Sequence, residues 1–134
     1  MREANRLAVI GVGGALGALS RAGVSHLFGS GPIQFNDQSS GFPWATLTVN
    51  VVGALLIGIL AVALISESGD YRRPFLITGF LGGFTTFSAL ALEVVDLIDQ
   101  GMWLIILTYL IVTVGAGLTA VKLGVALAQR VVKP

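Results

Sequence analysis

Thr78-Gly79-Phe80-Leu81-Gly82-Gly83-Phe84-Thr85-Thr86-Phe87-Ser88 lies in the middle of an apolar run over residues 74–98. The run has the length of a membrane span, for which roughly 20 predominantly apolar residues suffice. Its centre is nevertheless poor for a regular helix, because two adjacent glycines and two adjacent threonines are weak helix formers. Non-helical backbone at membrane depth survives only where protein buries it or where it lines a wet cavity. A break there leaves two half-helix ends inside the membrane, whose carbonyls can hold a cation and whose N–H groups can hold an anion. The alternative reading is a packing kink between helices.

Three further runs frame this one, at residues 7–28, 44–65 and 102–128. The expected fold is therefore all-α and integral to the membrane, one domain over 1–134 with four transmembrane helices and a broken third. Composition agrees. The chain is 54% hydrophobic and 11% charged, against about 25% charged in a soluble domain. So short a chain cannot hide that much apolar surface from water, so lipid must be part of its solvent. The first run is too long for a signal-peptide core and reads as a retained helix. The Gly-, Ser- and Pro-containing stretch 29–43 reads as a loop, 66–73 as a short charged connection, and Asp99-Gln100-Gly101 as a tight turn. Trp44, Tyr71 and Trp103 fall at span ends, where amphipathic rings favour the interface.

Charge gives orientation and excludes partners. Arg2, Arg6, Arg72, Arg73, Arg130 and Lys133 fall on one side, and only Arg21 lies near the other. The bias places both termini in the cytoplasm; the expected location is a cell (inner) membrane. Lys122 reads as a snorkelling residue. A net charge of +1 argues against a nucleic-acid partner. With no cysteine and a single histidine, His26, neither thiolate chemistry nor a His-cluster metal site is available. Residues 11–17 resemble a dinucleotide fingerprint only superficially, since the spacing is wrong and no acidic residue follows about 20 positions on. Gly13 with Gly17, Gly79 with Gly83, and Gly115 with Gly117 read as helix-packing positions.

The polar side chains inside the spans are few. Asn50 lies midway along the second; its amide is an anion donor or an interhelical hydrogen-bonding group. Tyr109 and Thr113, four apart, share a face of the fourth helix, and with Asn50 and Ser88 make a candidate track of hydroxyls and an amide. Phe84 and Phe87 are three apart, and a phenylalanine ring edge is electropositive enough to face an anion. Glu93 reads as a structural or vestibule carboxylate, with Arg21 a candidate partner. The first, second and fourth spans hold no Asp or Glu, which favours passive conduction over proton coupling and argues against a small inverted-dimer multidrug transporter.

Three segments, Gly14-Ala15-Leu16-Gly17-Ala18-Leu19-Ser20-Arg21, Thr46-Leu47-Thr48-Val49-Asn50-Val51-Val52-Gly53 and Gly79 to Ser88 as quoted above, resemble the CrcB/Fluc fluoride channel family. The resemblance runs through all four spans in order. It implies an inverted (antiparallel) dual-topology dimer that exports cytoplasmic fluoride through pores at the interface. It carries the polar-track role to Asn50, the first phenylalanine-box position to Phe87, with Ser88 beside it, and the fourth-helix hydroxyl positions to Tyr109 and Thr113. Arg21 matches the vestibule arginine. A structural sodium ion at the dimer centre would be held by the backbone carbonyls of Gly82 and Thr85.

Two departures stand out. The second box phenylalanine is replaced by Leu90, which has no electropositive ring edge, while the motif register puts Phe84 outside the box. The one-sided Lys and Arg count is also unlike a chain that inserts both ways. The expected partner is therefore a second inverted subunit that is either this chain or a paralogue supplying the intact box. A non-conducting partner subunit is the remaining alternative.

Overall fold

The computed structural model describes residues 3–28, 41–64 and 71–132. Most of the expected loop 29–43 and connection 66–73 lies outside the described residues, as do Arg2, Lys133 and the expected end of the second span. Within them the chain is helical, and four helices are long and apolar enough to cross a membrane.

Helix α1 is Glu3–Leu27 and α2 is Trp44–Ala63. The third span is divided. Its first half, α3, is wound as a wide π-helix over Pro74–Leu81 and closes with one α turn, Gly82–Phe84. Its second half, α4, is Phe87–Asp99, and α5 is Trp103–Val132. Both outer helices overrun the expected spans: α1 starts before Leu7 and α5 continues past Ala128. The added turns are polar or amphipathic and reach beyond the apolar stretch. Glu3 sits in the first turn of α1 and Arg130 in the last turn of α5, each the charge that complements its end of the helix dipole.

The turn at 99–101 follows from Gly101. Its φ of +71° is open to glycine at little steric cost. The amide of Gly101 bonds the Ile98 carbonyl at 2.9 Å and that of Met102 bonds the Leu97 carbonyl at 2.9 Å. This paired closure satisfies carbonyls that a helix end otherwise leaves bare.

Backbone-to-backbone approach explains which helices pair. A Cβ on Gly13 would sit 3.0 Å from the Phe80 nitrogen, one on Gly17 would meet the Phe84 nitrogen at 2.8 Å, and one on Gly83 would strike the Gly14 backbone. The α1–α3 seam thus requires glycine on both faces. On the other side, Gly58 of α2 and Gly124 of α5 form the equivalent seam. The expected packing pair on α5 is different: Gly115 and Gly117 have nothing within 4 Å of where a Cβ would stand. Outward-facing Leu19, Trp103, Leu104 and Leu118 are more than half exposed, as lipid-facing side chains are.

Candidate functional site

The break occupies two residues. Thr85 (φ −74°, ψ 156°) and Thr86 (φ −150°, ψ 123°) are extended between helical neighbours. Each threonine closes one end. The Thr85 hydroxyl and amide both donate to the Leu81 carbonyl, at 2.9 and 3.0 Å, finishing α3. The Thr86 hydroxyl accepts from the Ala89 amide at 3.1 Å and caps α4. The Ser88 hydroxyl lies 3.2 Å from that of Thr86.

Asn50 fixes the break from α2. Its Oδ1 accepts the Thr86 N–H at 2.9 Å and its Nδ2 donates to the Thr86 carbonyl at 3.0 Å. A primary amide has two N–H bonds, so one remains for the space beside it. The clamp also acts on α3. In a continuous helix the Thr86 N–H would bond the Gly82 carbonyl four residues back; here it goes to Asn50. The Gly82 carbonyl is thus released at the electronegative end of a half-helix, beside the extended Thr85. A carbonyl oxygen without a backbone partner is the ligand type that a hard cation takes. Gly53 makes room for the arrangement, since a Cβ there would strike the Thr85 methyl.

Beside the break, α2 and α5 enclose a groove of about 520 Å³. Asn50, Thr85, Thr86, Phe87, Leu90 and Thr113 line it among apolar side chains. The structure therefore brings Asn50, Phe87, Leu90 and Thr113 together. Phe87 is 81% exposed and Leu90 only 9%: the ring stands at the groove rim, while Leu90 packs in a core of Leu47, Leu97, Ile106 and Tyr109. Phe84 points elsewhere, buried and stacked on Phe80 with ring centroids 6.0 Å apart. The Thr113 hydroxyl oxygen is buried and makes no hydrogen bond in the structure.

Tyr109 and Glu93 form a second polar group. Glu93 is buried at 6% exposure. Its carboxylate accepts from the Thr46 hydroxyl at 2.5 Å and from the Tyr109 hydroxyl at 2.6 Å. The pairing of Glu93 with Arg21 is thereby corrected: two hydroxyls take the carboxylate, and Arg21 is half-buried on α1, the helix whose seam is with α3. Tyr109, fully buried, turns its hydroxyl to Glu93 and packs edge-on against Phe42 at 5.5 Å. Thr46 and Thr86 were not singled out from sequence, although signals for both exist. A threonine just ahead of a helical run is a capping signal, and Thr46 precedes Asn50 by one helical turn.

The chain matches the family model described as "CrcB-like protein, Camphor Resistance (CrcB)" over residues 8–125. It is 42% identical over 127 residues to "Fluoride-specific ion channel FluC 1" of Mycobacterium bovis, covering 93% of this chain and 91% of the relative. It is 41% identical over 132 residues to "Fluoride-specific ion channel FluC" of Rhizobium meliloti, covering 96% and 99%. Against the protein of the same name from Ruminiclostridium cellulolyticum it is 39% identical over 133 residues, covering 98% of each.

Proposed function

The chain belongs to the CrcB/FluC family, whose members are ion channels rather than enzymes, and on that premise we propose that it is a subunit of a passive, fluoride-selective channel exporting cytoplasmic fluoride. The observation that carries this reading is the groove at the helix break, where an amide with a spare N–H, a threonine hydroxyl and an exposed phenylalanine meet in apolar surroundings. Fluoride holds its hydration shell tightly. Asn50, Thr113 and the ring edge of Phe87 replace part of that shell without a fixed positive charge. An ion held only by such groups can also leave, as conduction requires. Ser88, at the electropositive start of α4, offers a further donor.

The exposure of Phe87 at the rim in a single chain supports a pathway completed by a second, inverted subunit. The buried Leu90 and the one-sided charge favour a paralogue with an intact box over self-pairing, with both termini of this chain in the cytoplasm. In the assembled channel a sodium ion would be held by the carbonyls of Gly82 and Thr85, where it would supply fixed positive charge at the dimer centre.

Efflux from liposomes tests the reading. Fluoride should leave potassium fluoride-loaded vesicles rapidly when valinomycin carries the compensating potassium, and slowly without it. Efflux that ignores valinomycin would refute passive conduction. Robust efflux from this chain alone would refute an obligate paralogue while leaving the channel intact.

A further inference from the structure

We infer that a two-rung polar ladder from α2 sets the register of α4, and that Glu93 is, through it, a positioning residue for the groove. Thr46 and Asn50 are four residues apart on α2 and share one face. Thr86 is the extended cap of α4, and Glu93 lies seven residues further on, in the second turn of that helix. The rungs are the double bond from Asn50 to the Thr86 backbone, at 2.9 and 3.0 Å, and the Thr46–Glu93 bond at 2.5 Å. Tyr109 ties the second rung to α5 at 2.6 Å.

A buried carboxylate is a costly way to join helices in lipid. Packing alone would be served by another leucine, since Leu90 and Leu97 on either side of Glu93 already sit in the core. Packing does not fix register well here. The backbone of α4 runs closest to α5, its outward Leu92 and Val95 are exposed, and its N-terminus is cut free of α3 by the break. Apolar contacts tolerate a slip; two directional rungs on one face do not.

The consequence falls on Phe87, the residue after the first rung. A slip of one residue turns a helix by about 100°, which would carry the ring off the groove. Glu93 thus aims a ring that it does not touch, and its hydrogen bonds matter rather than its charge. Glutamine keeps both, its oxygen accepting from one hydroxyl and its N–H₂ donating to the other.

The test compares Glu93→Gln, Glu93→Leu and Thr46→Val in the full chain, reconstituted with whatever partner the active channel contains. Two readouts are taken: fluoride efflux per channel and amide hydrogen exchange over residues 86–93. The first readout rests on the channel reading; the second does not. Glu93→Gln should keep efflux within threefold of wild type and leave exchange unchanged. Glu93→Leu should lose at least tenfold in efflux and accelerate exchange at least tenfold. Thr46→Val, which removes one hydroxyl at constant shape, should accelerate exchange severalfold and keeps the test decisive if Glu93→Leu does not fold. Unchanged exchange in Thr46→Val overturns the ladder. So does a Glu93→Gln channel that has lost its efflux while its α4 exchanges as in wild type, since the charge itself would then act in conduction. A wild-type protein without efflux would refute the channel, and the exchange readout would still decide the ladder.

Discussion

Asn50→Asp changes one atom in size and inverts the chemistry of the groove. Asparagine donates to the Thr86 carbonyl at 3.0 Å and accepts the Thr86 N–H at 2.9 Å. Aspartate can still accept, but it sets a carboxylate oxygen against the Thr86 carbonyl oxygen. It also removes the spare N–H and places a negative charge beside the proposed anion path. For a fluoride about 4 Å away at an effective dielectric constant of about 20, the repulsion is about 4 kcal/mol. At 1.4 kcal/mol per decade, occupancy falls roughly a thousandfold, and flux should fall with it. The assay is valinomycin-dependent fluoride efflux from liposomes, with a gel-filtration profile to show that the variant assembles. Asn50→Ser is the comparison, since it keeps a neutral hydroxyl donor and should retain measurable flux. An assembled Asn50→Asp channel with wild-type flux would show that fluoride does not pass this amide.

Other perturbations follow from single contacts. Gly17→Ala drives a methyl into the backbone of Phe80 and Phe84, which cannot yield as a side chain can. It should lower the thermal midpoint by the equivalent of about 1–3 kcal/mol, whereas Gly115→Ala, with open space around it, should leave the midpoint unmoved. Thr86→Ala removes the cap on α4 and should cost about 1 kcal/mol in a thermal or denaturant titration; Thr86→Ser should restore it. Leu90→Phe puts a ring on the groove lining, at the proposed second box position. It should raise efflux from the chain reconstituted alone severalfold while costing about 1–3 kcal/mol through overfilling the Leu47, Leu97 and Ile106 core. Unchanged efflux would show that residue 90 is not on the pathway.

The spans and the break were legible in the sequence because each depends on local composition. Hydropathy locates four apolar runs, and Gly-Gly beside Thr-Thr marks where a helix cannot continue. The extended Thr85 and Thr86 lie in that stretch. The helix ends were less legible, since Glu3 and Arg130 extend α1 and α5 through dipole and interface effects that hydropathy does not register. The polar partnerships were not legible. Glu93 could be placed near a span end, but nothing local says that Thr46, 47 residues earlier, and Tyr109, 16 residues later, would take its two oxygens. Spacing put Tyr109 and Thr113 on one face, yet a shared face is broad. Thr113 lines the groove and Tyr109 turns to Glu93. For Asn50 the two readings, anion donor and interhelical bond, are compatible once its atoms are counted. Its amide carries two N–H donors, of which the Thr86 carbonyl takes one while the Thr86 N–H goes to Oδ1.

The most direct test is the reversal potential of the current through the purified channel in a planar bilayer, with a tenfold fluoride gradient and chloride making up the balance. A fluoride-selective pore reverses near the fluoride equilibrium potential, about 59 mV from zero for a tenfold gradient of a monovalent ion. A reversal near the chloride or cation equilibrium potential, through channels that conduct, would contradict the account.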